Sequence, residues 1–153
     1  MDERRAAPGA RARRPSKRDY RLLSELRYLI RRFLGFSQAA AARAGLTARQ
    51  HQALLALKGA REDSATTVGY LAERLLIRHQ SAVELADRLE EAGLIRRAPD
   101  ANDRRRVLLA LTDKAERRLA LLSSSHIAEL KRLRPALLDI LDQAEKIEHG
   151  ARG

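Results

Sequence analysis

The sequence contains no cysteine, which excludes disulfides, thiolate metal sites, cysteine nucleophiles and sensing by thiol oxidation. Tryptophan is absent, aromatic residues make up 3% of the chain, and the single methionine is Met1. A core must therefore be assembled from Leu, Ala, Ile and Val, a palette that favours helices. No run of 18 apolar residues occurs, so no membrane-spanning helix is expected. No apolar stretch follows Arg13-Arg14, so that pair is not read as an export signal. The chain reads as a cytoplasmic protein with no membrane partner. Its 153 residues suit one domain, or one domain with an appendage, and are too few for a TIM barrel. There is no repeat of solenoid period.

The signatures of catalysis are missing as well. The four histidines (51, 79, 126 and 149) show no metal-ligand spacing, and Ser123-Ser124-Ser125 has no nucleophile-elbow context. There is no glycine-rich phosphate loop. Glu90 and Glu91 are neighbours on a helix and point about 100° apart instead of converging. The expectation is a non-enzyme with no cofactor and no metal.

Acidic residues are the minority charge: 20 Asp and Glu face 31 Lys and Arg, a net +11. Five of the cations are Lys and 26 are Arg, and heavy Arg and Ala usage can also reflect genome base composition. Residues 1–18 hold seven cations and two acids, a net +5, so the rest of the chain keeps +6. A body that stays basic without its tail points to a polyanionic partner. Residues 1–18, with Pro8, Gly9, Pro15 and no apolar period, read as a disordered basic arm.

From Asp19 the pattern is helical, with Leu22, Leu26, Leu29, Ile30, Phe33 and Phe36 at three- and four-residue spacing. Gly45 stops this helix. Thr47-Ala-Arg-Gln50 has the form of a capping box and opens a second helix, which Gly59 ends. A short helix from about Thr67 to Leu75 and another from near Arg78 to Glu91, closed by Gly93, are joined tightly enough for a helix-turn-helix. Leu94-Ile95-Arg96-Arg97, a Pro99–Asp103 turn and an alternating Arg106–Leu111 then form a β-hairpin. Arg96, Arg97, Arg104, Arg105 and Arg106 stand there against only Asp100 and Asp103, so the hairpin repels itself unless it meets an anion. Thr112 caps a C-terminal helical third in which Pro135 marks a break or a new start.

The expected class is mainly α with a small β-hairpin wing: a winged helix-turn-helix plus a helical dimerisation region. The lobe is placed at residues 46–111 and the dimerisation region at 19–45 and 112–149. Apolar faces in that region have little of the lobe left to cover and are expected to meet a second copy.

This order resembles the MarR family of bacterial winged-helix transcription regulators over residues 20–148. Four stretches carry the likeness: Gly45-Leu46-Thr47-x-x-Gln50, Leu71-Ala72-x-x-Leu75, Asp87-Arg88-Leu89-Glu90-x-x-Gly93-Leu94-Ile95-x-Arg97, and Asp103-Arg104-Arg105 leading to Leu111-Thr112. Departures are His51 where the family carries an aromatic residue, Arg78 at a capping Ser or Thr position, Glu84 for a basic residue and Ala115 for Gly. The resemblance implies a homodimer on double-stranded DNA at a pseudo-palindromic site, acting more as a repressor, released by a small, often aromatic effector.

With Ala82, Leu85 and Leu89 inward, Arg78, His79, Gln80, Ser81 and Val83 are left to face DNA, where Arg and Gln pair with guanine and adenine edges. Each is otherwise a solvated or capping side chain. In the hairpin, period-two alternation puts Asp103 beside Arg105, so the carboxylate braces the guanidinium. The resemblance sends Arg105, with Arg104 beside it, toward a minor groove. Arg27 and His51 are the polar groups expected in an effector cleft, although a lone helical His is often structural. A non-specific architectural DNA-binding protein shares the fold and the charge, and an interaction module that has lost DNA binding is a third reading.

Overall fold

The structure, a computed structural model, describes residues 14–149. Most of the expected basic arm therefore lies outside the described residues. The order is α1 (Lys17–Arg43), α2 (Ala48–Lys58), α3 (Val68–Leu75), α4 (His79–Glu91), β1 (Ile95–Pro99), β2 (Val107–Leu111) and α5 (Asp113–His149). This is the expected winged helix: five helices with one antiparallel hairpin among the described residues.

Helix α1 begins two residues before the Asp19 expected from periodicity. Ser16 and Asp19 form a reciprocal box, the Ser16 N–H donating to Asp19 Oδ2 (2.5 Å) and the Asp19 N–H to Ser16 Oγ (3.3 Å). The Thr47 box forms as expected, with Thr47 N–H on Gln50 Oε1 (2.9 Å) and Gln50 N–H on Thr47 Oγ1 (3.1 Å). Gly45 and Gly93 sit at φ +71° and +66°, the left-handed conformation that ends a helix at low steric cost. Pro135 does not break α5, which runs through it. The ring removes one backbone donor, but Pro135 and Lys131 one turn earlier are both exposed, so the lost bond falls on the solvent side. Buried Leu133 and Ile140 hold the helix on either side of it.

The chain divides into two units. One holds the chain up to Phe33 and from Leu130 onward; the other is Leu34–Glu129. The division falls inside α1 and α5, not at the loops near residues 45 and 111, because the inner halves of both helices pack with the winged helix. Ala40, Ala41, Ala115, Leu119 and Leu122 share one core with Leu54, Leu71, Leu89, Leu94, Ile95 and Leu109. The other unit has its own small core, Leu29, Leu133 and Ile140, flanked by Leu22, Leu26, Phe33 and Leu137. Ile30, expected inward, is 46% exposed, and Tyr20, Leu23, Tyr28, Leu130, Leu138 and Leu141 in the same unit are exposed too.

Candidate nucleic-acid interface

Helix α4 is set by one apolar stripe. Ala82, Leu85, Ala86 and Leu89 are buried, which fixes the rotation of the helix and leaves Arg78, His79, Gln80 and Ser81 exposed, with Val83 half-buried and Glu84 exposed. Arg78 occupies the N-cap position in an extended conformation and makes no side-chain cap bond. The turn before it depends on Leu76, held at φ 53° and ψ 44°, whose N–H donates to Ala72 and Glu73 carbonyls. The Ile77 N–H donates to the Ala72 carbonyl (3.0 Å) and closes the helix-turn-helix.

Two five-residue strands are marginal alone, and the wing gains its footing elsewhere. Strands pair from Ile95↔Leu111 to Pro99↔Val107, with Leu109 buried at the base. The Leu109 N–H donates to the Thr66 carbonyl (2.8 Å) and Thr66 Oγ1 donates to the Leu109 carbonyl (3.1 Å), so the residue before the α3 cap acts as a third edge. Val107 is 49% exposed because it lies toward the tip, beyond the core. Thr112 Oγ1 donates to the Gly93 carbonyl (2.7 Å) and accepts from Ala115 N–H (3.3 Å), capping α5 and tying it to the end of α4.

The wing tip departs from the expected alternation. Residues 100–106 form a turn, not strand, so Asp103 does not meet the Arg105 side chain. Its Oδ1 accepts the Arg105 backbone N–H (3.0 Å), and its Oδ2 accepts Arg106 Nε (3.3 Å). The largely buried Asp100 supports the same turn by accepting the Asn102 N–H (2.9 Å) and lying 3.8 Å from Arg106 Nε. Arg106 is thus occupied at the tip. Arg97 is occupied at the base, where its guanidinium pairs with Asp87 (2.6 Å) and Glu90 of α4. Hydrogen bonding to Asp87, the largest effect, raises the Arg97 pKa above its ordinary value; burial opposes it, and Glu90 adds to the rise. Of the five wing arginines, Arg96, Arg104 and Arg105 are exposed and have no acidic partner among the described residues. They leave exposed cationic charge in the same unit as the exposed start of α4.

The expected effector pair is not assembled within either unit. Arg27 is exposed on α1 in the unit built on Leu29, while His51 is buried on α2 in the winged-helix unit. His51 has other company. Its Nδ1 lies 3.5 Å from Ser37 Oγ, His126 Nε2 lies 2.9 Å from the same oxygen, and the two rings are 4.8 Å apart. His126 Nδ1 sits 2.8 Å from the Leu122 carbonyl and so carries the proton. Ser37 Oγ thus bridges His126 Nε2 and His51 Nδ1. Burial, reinforced by His126, lowers the His51 pKa below 6.5. Ser37 and His126 were not among the expected site residues, although Leu119, Leu122 and His126 share one helical face at three- and four-residue spacing.

Among the described residues no group of three or more His, Cys, Asp or Glu can hold a metal, and no helix is long and apolar enough to cross a membrane. Among curated proteins none matches the sequence. Solved structures share the fold, among them the following three. AbsC, a MarR family transcriptional regulator from Streptomyces coelicolor, is 22% identical, covering 92% of this chain and 99% of its own, at TM-score 0.68. A point mutant of S. aureus MepR, bound to an oligodeoxyribonucleotide, is 22% identical over 87% and 91%, at 0.57. CouR from Rhodococcus jostii RHA1, bound to p-coumaroyl-CoA, is 24% identical over 78% and 93%, at 0.55. Residues 44–106 match the MarR family model. That segment holds α2, the helix-turn-helix, β1 and the wing turn, so the likeness to the MarR family covers the winged-helix part of the chain.

Proposed function

We propose that the protein is a homodimeric, sequence-specific transcription regulator of cytoplasmic DNA, acting as a repressor. Helix α4 enters a major groove through Arg78, His79, Gln80, Ser81 and Val83, and Arg104 and Arg105 bring the wing to a flanking minor groove. One observation carries this reading: the exposed start of α4 and three wing arginines without acidic partners lie in one unit, while the other wing arginines are neutralised. The DNA bound to the MepR mutant on the same fold supports it. Exposed Leu23, Ile30, Leu130 and Leu141 support a second copy as the cover for α1 and α5. Symmetry then demands a pseudo-palindromic operator with half-sites about one helical turn apart. The acyl-CoA bound to CouR supports release by a small, aromatic effector.

The test is a titration near 150 mM salt against DNA from upstream of the protein's own and neighbouring genes, and against scrambled duplexes of equal length. The expected result is a preference of about a thousandfold or more for one site. Equal affinity for all duplexes overturns site-specific regulation in favour of an architectural DNA binder. No binding even at low salt leaves an interaction module.

A further inference from the structure

Arg97 belongs to the wing by sequence and to α4 by its contacts. It is half-hidden, with 28% of its side chain exposed, and uses both ends of its guanidinium on acids three residues apart on one face of α4. Its backbone N–H also donates to Glu90 Oε1 (3.3 Å). A planar fork held by two carboxylates fixes orientation as well as distance, which a point charge does not do. Arg97 stands opposite Leu109, the buried residue that Thr66 pins at the base of the hairpin. Beyond that pair only Ala98, Pro99 and their partners separate it from the turn bearing Arg104 and Arg105.

We infer that Arg97, held by Asp87 and Glu90, is a positioning residue for DNA binding: it locks the base of the wing to α4 so that Arg105 meets the duplex, and does not itself touch DNA. The inference rests on the DNA-binding reading above and adds to it the element that aligns the two contact regions. Arg97 is a cation beside DNA whose charge is already taken by two anions, so its removal acts through geometry.

Asp87→Asn/Glu90→Gln tests this with nearly unchanged side-chain shape. Each protomer loses two negative charges, which by electrostatics alone tightens DNA binding. The clasp predicts the opposite sign, a loss of about three- to tenfold on the duplex that the wild-type protein selects from a random pool. Arg105→Ala is then measured in both backgrounds. It costs about tenfold in the wild type and less than about threefold once the clasp is open, because residues that act through one geometry are not additive. Amide exchange without DNA accelerates over residues 95–111 while α2 and α3 keep their protection. Tighter binding by the neutralised pair, or a full Arg105→Ala cost in both backgrounds, overturns the inference and leaves the wing reading intact. An Arg105→Ala variant that binds like the wild type overturns the wing reading itself, and the inference with it. Loss of exchange protection throughout the unit overturns it too, by making the acids general stabilisers.

Discussion

The winged-helix unit treats polar groups in two opposite ways. Along the edge formed by α4 and the wing, cations are kept in contact with solvent and sorted by acids: Asp87 and Glu90 take Arg97, Asp100 and Asp103 take Arg106, and Arg96, Arg104 and Arg105 stay available. Between α1, α2 and α5, His51, Ser37 and His126 are packed ring against ring. The reason is the cost of desolvation, which is small for an arginine that keeps its water and several kcal/mol for a charge that loses it. The edge can therefore spend charge on an anionic partner, while burial in the interior holds the His51 pKa below its ordinary value.

The strongest way to break this division is to damage the interior on which the edge stands. Leu89 is fully buried and lies on the face of α4 opposite the exposed residues. Leu89→Ala removes its packing and leaves a cavity, for a loss of about 2–5 kcal/mol by chemical denaturation at fixed protein concentration. DNA binding falls with it. Retained stability would mean that α4 is not held by its apolar stripe.

Arg105→Ala separates the two regions. DNA affinity falls about tenfold, or about 1.4 kcal/mol, through loss of a groove contact. Melting temperature stays within about 1 °C, since surface substitutions without a partner are close to neutral. A matching loss of stability would show that Arg105 is a structural residue.

The interior answers to pH. The folded state holds His51 below its ordinary value of 6.5, so the unfolded chain takes up a proton first as pH falls. Stability from this group is complete above about pH 6.5 and is lost progressively below it. His51→Gln keeps an uncharged polar side chain and removes the titration. Melting temperature followed from pH 7.5 to pH 5 is expected to fall less steeply in the variant than in the wild type. Parallel curves would exclude His51 as the source.

Most of the fold was legible because it rests on local chemistry. The Thr47 box, Gly45, Gly93 and the Ala82–Leu85–Leu89 stripe each announce themselves within a few residues. The misread features depend on contacts distant in the chain. Asp103 alternates with Arg105 on paper, yet the tip folds as a turn in which Asp103 bonds the Arg105 backbone and the Arg106 side chain. Arg97 looked like one more anion-facing charge, and only the return of β1 against α4 gives it Asp87 and Glu90. Ser37 and His126 are 89 residues apart and meet only when α1 and α5 cross the winged helix together. Pro135 reads as a break until buried residues on both sides hold the helix through it.

The smallest expected effect lies in the turn that joins α3 to α4. Leu76 is the one non-glycine residue at positive φ among the described residues, and it is 93% exposed. Holding an L-residue in the left-handed region costs about 1–2 kcal/mol. Leu76 recovers almost none of this by packing. Leu76→Gly relieves that strain but frees the unfolded chain, which costs back about 0.5–1 kcal/mol. The net is a gain of about 0.5 kcal/mol, seen as a rise of about 1–2 °C in melting temperature. DNA affinity is unchanged, because the buried stripe and the Arg97 clasp, not the turn side chain, orient α4. A rise in stability accompanied by weaker binding would show that Leu76 itself reaches the DNA, and would extend the contact edge back into the turn.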